Sequence, residues 1–213
     1  MSKTCIVFDL DDTLYKEIEF LKSGYKYIVN KLPLMEKDQI YENMLQKYKV
    51  GEDVFNYVQQ LLPEFDKSVL LQWYRSHKPD IHLDDNTLDC LKFLKTNNVI
   101  LGLISDGRSV TQRNKIEALG LNELILDEDI VISEELGSEK PSEINYQYIA
   151  QKHPGCSFFY VGDNPKKDFI APNKLGWKTI GLRDNGQNIH PQSPGVFEPQ
   201  IWINDITEIK KFI

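Results

Sequence analysis

No apolar run in this chain approaches the length that spans a bilayer. Its first residues, Met-Ser-Lys, lead into a short apolar segment rather than the long apolar region of a signal peptide. A cytoplasmic protein with no membrane partner is the expectation. Basic residues are also short: 25 Lys and Arg stand against 32 Asp and Glu, a formal charge of −7, which argues against a nucleic-acid or membrane-surface binder. Cysteine is sparse as well. Cys5, Cys90 and Cys156 are odd in number and lack metal-ligand spacing, so they read as reduced packing thiols. His82, His153 and His190 show no ligand spacing either, and neither an internal repeat nor a low-complexity tract is visible.

What remains is an ordinary globular balance, 41% apolar and 27% charged, in 213 residues that suit one large domain or a domain with an insertion. Residues 4–14 organise the rest. The β-branched and aromatic segment from Cys5 to Phe8 has no helical period and reads as a buried strand. Three carboxylates, Asp9, Asp11 and Asp12, follow at once, and a buried strand cannot continue through them. They mark the strand's end, the lip of a sheet, where open α/β sheets bind ligands.

The pattern then turns helical. Ile18, Leu21, Tyr25, Ile28 and Leu32 recur at three- and four-residue spacing, predicting a helix over 16–32 that Pro33 stops. Helices over 37–50, 52–62 and 66–78 follow, punctuated by Gly51, Pro63 and Pro79, with no strand among them. Residues 16–82 therefore read as an inserted helical domain, and 1–15 with 83–213 as the core.

From residue 85 helices and strands alternate. Helices are expected over 86–95, 109–119, from Pro141 to 152, over 166–175 in spite of Pro172, and up to 213. Strands are expected over 99–105, 130–133, 157–161, 178–182 and 201–204, with 183–200 as loop. Such alternation gives a parallel sheet with helices on both faces, and right-handed crossovers bring the strand ends to one edge.

The residues expected on that edge carry chemistry. Asp9 and Asp11 suit a hard cation, nucleophilic attack or proton transfer. Ser105, before the turn Asp106-Gly107, offers a hydroxyl and backbone N–H groups to phosphate oxygens, and Lys140 a point charge for an anion. Asp163 and Asp168 follow the strand over 157–161. Four carboxylates against one lysine would not hold together: two unit charges 4 Å apart repel by about 4 kcal/mol at an effective dielectric near 20. A divalent cation resolves the conflict, and ligands that are all oxygen point to Mg²⁺.

In this order the constellation resembles the haloacid dehalogenase-like (HAD) hydrolase superfamily. Asp9-Leu-Asp11-Asp-Thr13 matches its first motif, Ser105 its second, Lys140 its third, and Gly162-Asp163 with Asp168 its fourth. The helical insertion between the first two motifs is similar to the cap of the subfamily with an α-helical cap there. The resemblance implies a Rossmann-like sheet and a Mg²⁺-dependent phosphomonoester hydrolase working through an aspartyl phosphate. Asp9 would be the nucleophile and Asp11 the acid and base. Mg²⁺ would be held by Asp9, the backbone carbonyl of Asp11, and Asp163, with Asp168 supporting the metal or orienting Lys140. Ser105 and Lys140 would hold the phosphoryl oxygens, with Asp106, Gly107 and Arg108 near the substrate. Thr13 would position the loop.

Phosphatases need a proton donor two residues after the nucleophile and dehalogenases do not, so Asp11 favours phosphate esters. A phosphomutase on the same scaffold, a 2-haloacid dehalogenase and a non-catalytic binding module are the alternatives. The implied partner is a small phosphorylated metabolite, for a monomer or a homodimer. Capping is the simpler reading of Asp12, a surface ion pair of Arg108, helix capping of Asn164, and packing of Trp73, Tyr74, Arg75, His77 and Trp177. Linkers near Tyr15–Lys16 and His82–Asp85 would be the hinges of a cap that closes over the site.

Overall fold

Six strands form one sheet: β1 (Thr4–Phe8), β2 (Ile100–Ser105), β3 (Ile130–Ile132), β4 (Ser157–Gly162), β5 (Lys178–Leu182) and β6 (Ile201–Ile203). Their order is β3-β2-β1-β4-β5-β6, and every neighbouring pair is parallel. This computed structural model describes residues 3–194 and 197–213. Met1, Ser2 and the part of the expected loop at Gly195 and Val196 lie outside the described residues.

Two-residue alternation sorts the strands' side chains onto two cores. Ile6, Phe8, Leu103 and Val161 pack on one face with Cys90, Leu91 and Leu94 of α5 (Asp85–Thr96) and Ile116 of α6 (Ser109–Ala118). Cys5, Val7, Ile104 and Tyr160 pack on the other with Phe169, Trp177 and the Tyr146 and Ile149 side chains of a helix over Ile144–Lys152. The architecture is Rossmann-like α/β, helices covering both faces of a parallel sheet. Because β1 and β4 are paired in register from Thr4 to Phe8, Asp9 and Gly162-Asp163 leave the sheet side by side.

Between β1 and β2 the chain forms α1 (Glu17–Lys31), α2 (Lys37–Lys49), α3 (Val54–Leu61) and α4 (Lys67–Ser76). They bury an apolar cluster of their own, including Leu21, Tyr25, Ile28, Met44, Val58 and Leu70. Asp53 and Asp66 cap α3 and α4 by accepting from Asn56 N and Ser68 N. The insertion rests on the core through α6: Thr111 Oγ1 donates to Arg75 O, and Asn114 Nδ2 to Ser76 O and His77 O. His77 is packed in place, its Nδ1 2.6 Å from Tyr74 O and its Nε2 3.2 Å from Ser23 Oγ.

Several elements differ from the expected ones. After β3 comes a one-turn helix, α7 (Ser133–Leu136), that the sequence pattern did not predict. The next helix, α8 (Ile144–Lys152), begins three residues past Pro141, which sits in a turn closed by Ser142 N on Glu139 O; the Lys140–Pro141 peptide is cis. The helix expected over 166–175 shrinks to α9 (Ile170–Lys174). Pro172 has no N–H for Asp168 O, so the turn that Asp168 N closes on Asn164 O, at 2.9 Å, does not continue into the helix as an unbroken ladder; Tyr146 OH donates to Asp168 O instead, at 3.2 Å. The last helix is a 3₁₀ helix over Ile206–Phe212, opened by a capping box between Asp205 and Glu208. Among the described residues no helix is long and apolar enough to cross a membrane.

Candidate active site

The pairing of β1 with β4 runs one residue past the strand, with Asp9 N donating to Val161 O at 2.8 Å. This sets the buried Asp9 carboxylate beside Lys140, whose Nζ lies 2.7 Å from Asp9 Oδ1, 2.8 Å from Asp168 Oδ1 and 3.2 Å from Tyr160 OH. The Lys140 side chain is wholly buried. Burial alone would lower its pKa, but Asp168 and Asp9 outweigh that and hold it well above the ordinary lysine value. Asp168 spends both oxygens on orientation, since Oδ2 accepts from Asn164 N at 2.9 Å.

Asp9, Asp163 and Asp168 form a buried acidic cluster, one carboxylate oxygen of each lying within 4.8 Å of the others. Burial pushes the Asp163 carboxyl up to about 8, with Asp9 and Asp168 adding repulsion. Burial likewise lifts Asp9 to about 6, although Lys140 opposes it. Carboxyl groups that resist ionising when crowded together, and that offer only oxygen, fit a divalent cation. Oδ2 of Asp9 and Oδ1 of Asp163 accept no hydrogen bond among the described residues, since the partners of these side chains sit on the opposite oxygens.

Asp11 faces elsewhere. Lys115 Nζ lies 2.7 Å from its Oδ1, Tyr15 OH donates to the same oxygen at 2.5 Å, and Gln112 Nε2 to Oδ2 at 3.3 Å. Burial would raise Asp11; the Lys115 ammonium and the two hydrogen bonds outweigh it and keep the carboxyl below its usual range. Glu17, 3.6 Å from the same ammonium, is pushed up to about 7 by burial and by Asp11.

Ser105 ends β2 buried at the cavity wall, its Oγ without a partner among the described residues. Asp106 also lines the cavity; its Oδ1 accepts from Lys140 N at 3.0 Å and its Oδ2 lies 3.3 Å from Lys167 Nζ. Gly107 and Arg108, expected near substrate, are not brought to this cavity. Gly107 N donates to Ser133 Oγ at 2.9 Å, and Arg108 is exposed with its guanidinium 3.8 Å from Glu134. Asp12 is a double cap in left-handed backbone (φ 58°), accepting from Glu17 N at Oδ1 and Ile189 N at Oδ2, both at 3.0 Å. Asn164 Oδ1 accepts from Lys166 N in the following turn.

The cavity has a volume of about 40 Å³ and is also lined by Glu17, Lys167 and His190. At roughly 10–15 Å³ per water-sized sphere, it has room for about three waters. Sequence reasoning passed over Gln112, Lys115, Lys167 and Asn188. The first two were within reach of it, because residues three apart share a helix face and the helix follows Ser105 directly. Asn188, in an irregular loop, carries no pattern.

The family description "Haloacid dehalogenase-like hydrolase" matches residues 6–182. A protein of Methanocaldococcus jannaschii named glyceraldehyde 3-phosphate phosphatase is 27% identical over 83% of both chains. One of the same name from Methanothermobacter thermautotrophicus is 27% identical over 98% of both. Among solved structures, magnesium-bound YfnB of Bacillus subtilis superimposes with a TM-score of 0.68 at 21% identity, over 100% of this chain and 99% of that one, a likeness of fold. A family match over most of its length, on a sheet that gathers the motif residues at one edge, means that this chain belongs to the haloacid dehalogenase-like hydrolases.

Proposed function

We propose that the chain is a Mg²⁺-dependent phosphatase that hydrolyses a small phosphate monoester through a phosphorylated Asp9. Residues 16–82 act as its cap over a core of 1–15 and 83–213. The observation that carries the reading is Lys140 Nζ held between Asp9 and Asp168, with Asp163 beside them. The names of the two archaeal relatives make triose phosphates the first substrates to try.

In this reading Lys140 takes one oxygen of Asp9 and keeps the carboxylate charged and aimed, leaving Oδ2 to attack phosphorus. The ester P–O bond breaks, and the leaving alkoxide takes a proton from Asp11, which has taken that proton up from solvent on leaving the Lys115 ammonium that held it ionised. For this Asp11 turns from Lys115 toward the substrate, as catalytic hydrogen bonds tighten only in the complex. Asp11 then takes a proton from water, whose oxygen attacks the acyl phosphate to release inorganic phosphate and free Asp9. The partnerless Ser105 Oγ donates to a phosphoryl oxygen. Asp9, the Asp11 carbonyl and Asp163, with Asp168 in support, would hold a magnesium ion, which would supply charge neutralisation for the incoming phosphate. The small cavity implies that the cap or the loop after β5 moves aside for substrate.

The test is phosphate release from a panel of small phosphomonoesters, triose phosphates included, with and without Mg²⁺, beside Asp9→Asn. Metal-dependent release that Asp9→Asn abolishes is the expected result. Isomerised product without free phosphate would replace the reading with a phosphomutase, and a folded protein silent on every ester would overturn it.

A further inference from the structure

The loop after β5 is tied down at its base and across its tip. Asp184 Oδ1 accepts from Gly186 N, Gln187 N and Asn188 N at 2.8, 3.0 and 3.0 Å, which fixes the turn. Gln192 closes the base, its Nε2 donating to Leu182 O and Asp163 O and its Oε1 accepting from Asp184 N. Held in this way, Asn188 reaches in both directions. Its Nδ2 donates to Asp163 Oδ2 at 2.8 Å, and its Oδ1 accepts from Lys16 Nζ at 2.6 Å. A second tie runs beside the first, from Ile189 N to Asp12 Oδ2 and from Glu17 N to Asp12 Oδ1.

The chemistry of the bridge is directional. An ammonium has donors only and a carboxylate acceptors only, so an amide between them has one satisfactory orientation. Lys16 thereby sets the Asn188 amide, and the amide sets Asp163. With Oδ2 taken, Oδ1 is the Asp163 oxygen left without a protein donor among the described residues. We infer that Asn188 is a positioning residue for the cation site, holding Asp163 in its ligating orientation and linking it through Lys16 to the start of the helical insertion. This rests on the reading of Asp9 and Asp163 as cation ligands. Lys16 immediately precedes α1, so cation affinity and the position of the insertion are coupled through one hydrogen-bonded bridge.

The experiment titrates Mg²⁺ alone, without substrate, against the thermal unfolding of wild type, Asn188→Ala, Lys16→Met and the double variant. Partners that orient a ligand account for roughly 10–100-fold in metal affinity, so the Asn188→Ala midpoint moves to about 10–100-fold higher Mg²⁺. Lys16→Met weakens binding in the wild-type background and not in the Asn188→Ala background. Loss of a nearby positive charge alone would tighten cation binding, so a weakening reports orientation. Asn188→Leu, close in size and without the amide, repeats the test if alanine unsettles the loop. A wild type that responds to Mg²⁺ with an Asn188→Ala midpoint within about twofold of its own overturns the role of Asn188 alone. Additive effects of the two substitutions overturn the bridge. A wild type indifferent to Mg²⁺ overturns the cation site and this inference with it.

Discussion

Lys115 Nζ lies 2.7 Å from Asp11 Oδ1, and 2% of the Lys115 side chain is exposed. The ammonium enters from α6, sits 4.4 Å from the centre of the Phe20 ring and meets Glu17 at 3.6 Å. A charge from the core is thus clamped against the first turn of the insertion, with the proposed acid and base between them.

Lys115→Met leaves Asp11 and Glu17 without their cation in a low-dielectric site. Removing one partner of a buried pair costs about 3–5 kcal/mol. Asp11 and Glu17 keep 19% and 26% of their side chains exposed, so the lower end, about 3 kcal/mol, is expected in urea unfolding. A loss below about 1 kcal/mol, a surface pair's worth, would show that the site is solvated.

Stability should also depend on pH in a cation-dependent way. Asp163 titrates at about 8 and Asp9 at about 6 in the cation-free site, against about 3.9 for an unfolded aspartate. Between these values the folded state binds more protons than the unfolded one, so stability is full at low pH and falls as pH rises toward 8. Mg²⁺ binds the ionised carboxylates and displaces those protons, so the Tm gain at saturating Mg²⁺ grows from about pH 5 to about pH 8. Asp163→Asn removes most of that slope. A gain flat across the range would mean that the two carboxyls are already ionised without the cation.

The parallel sheet and its chemical edge were legible because each central strand is a short apolar run that stops at a polar residue. Cys5 to Phe8 stops at Asp9, and the apolar residues before Ser105 and before Gly162-Asp163 behave alike. Local signals of this kind survive folding. What the sequence did not disclose depends on contacts between distant residues: Lys115 meets Asp11 across 104 positions, and Asn188 meets Lys16 across 172. Arg108 was open to two readings, substrate contact or a surface ion pair, and its guanidinium, on the extended N-cap residue of α6, lies 3.8 Å from Glu134. A helix over 166–175 was expected in spite of Pro172, and the helix is instead shortened at its start, where Pro172 offers no N–H to Asp168 O.

Gly162 owes its place to Asp168. A Cβ at Gly162 would lie 2.6 Å from Asp168 Oδ2 and 2.9 Å from its Cγ, and Asp168 is wholly buried with both oxygens held. Gly162 is not among the positive-φ glycines, so backbone strain does not enter. Gly162→Ala therefore overpacks the site, at a cost of about 1–3 kcal/mol, and displaces one of the two carboxylates that hold Lys140. Chemical denaturation reads the loss. Replacing Asp168 by Ala removes the carboxyl group and leaves only its Cβ, 3.0 Å away, so in that background Gly162→Ala costs less, under about 1 kcal/mol. Equal costs in the two backgrounds would mean that the glycine serves the strand and not the aspartate.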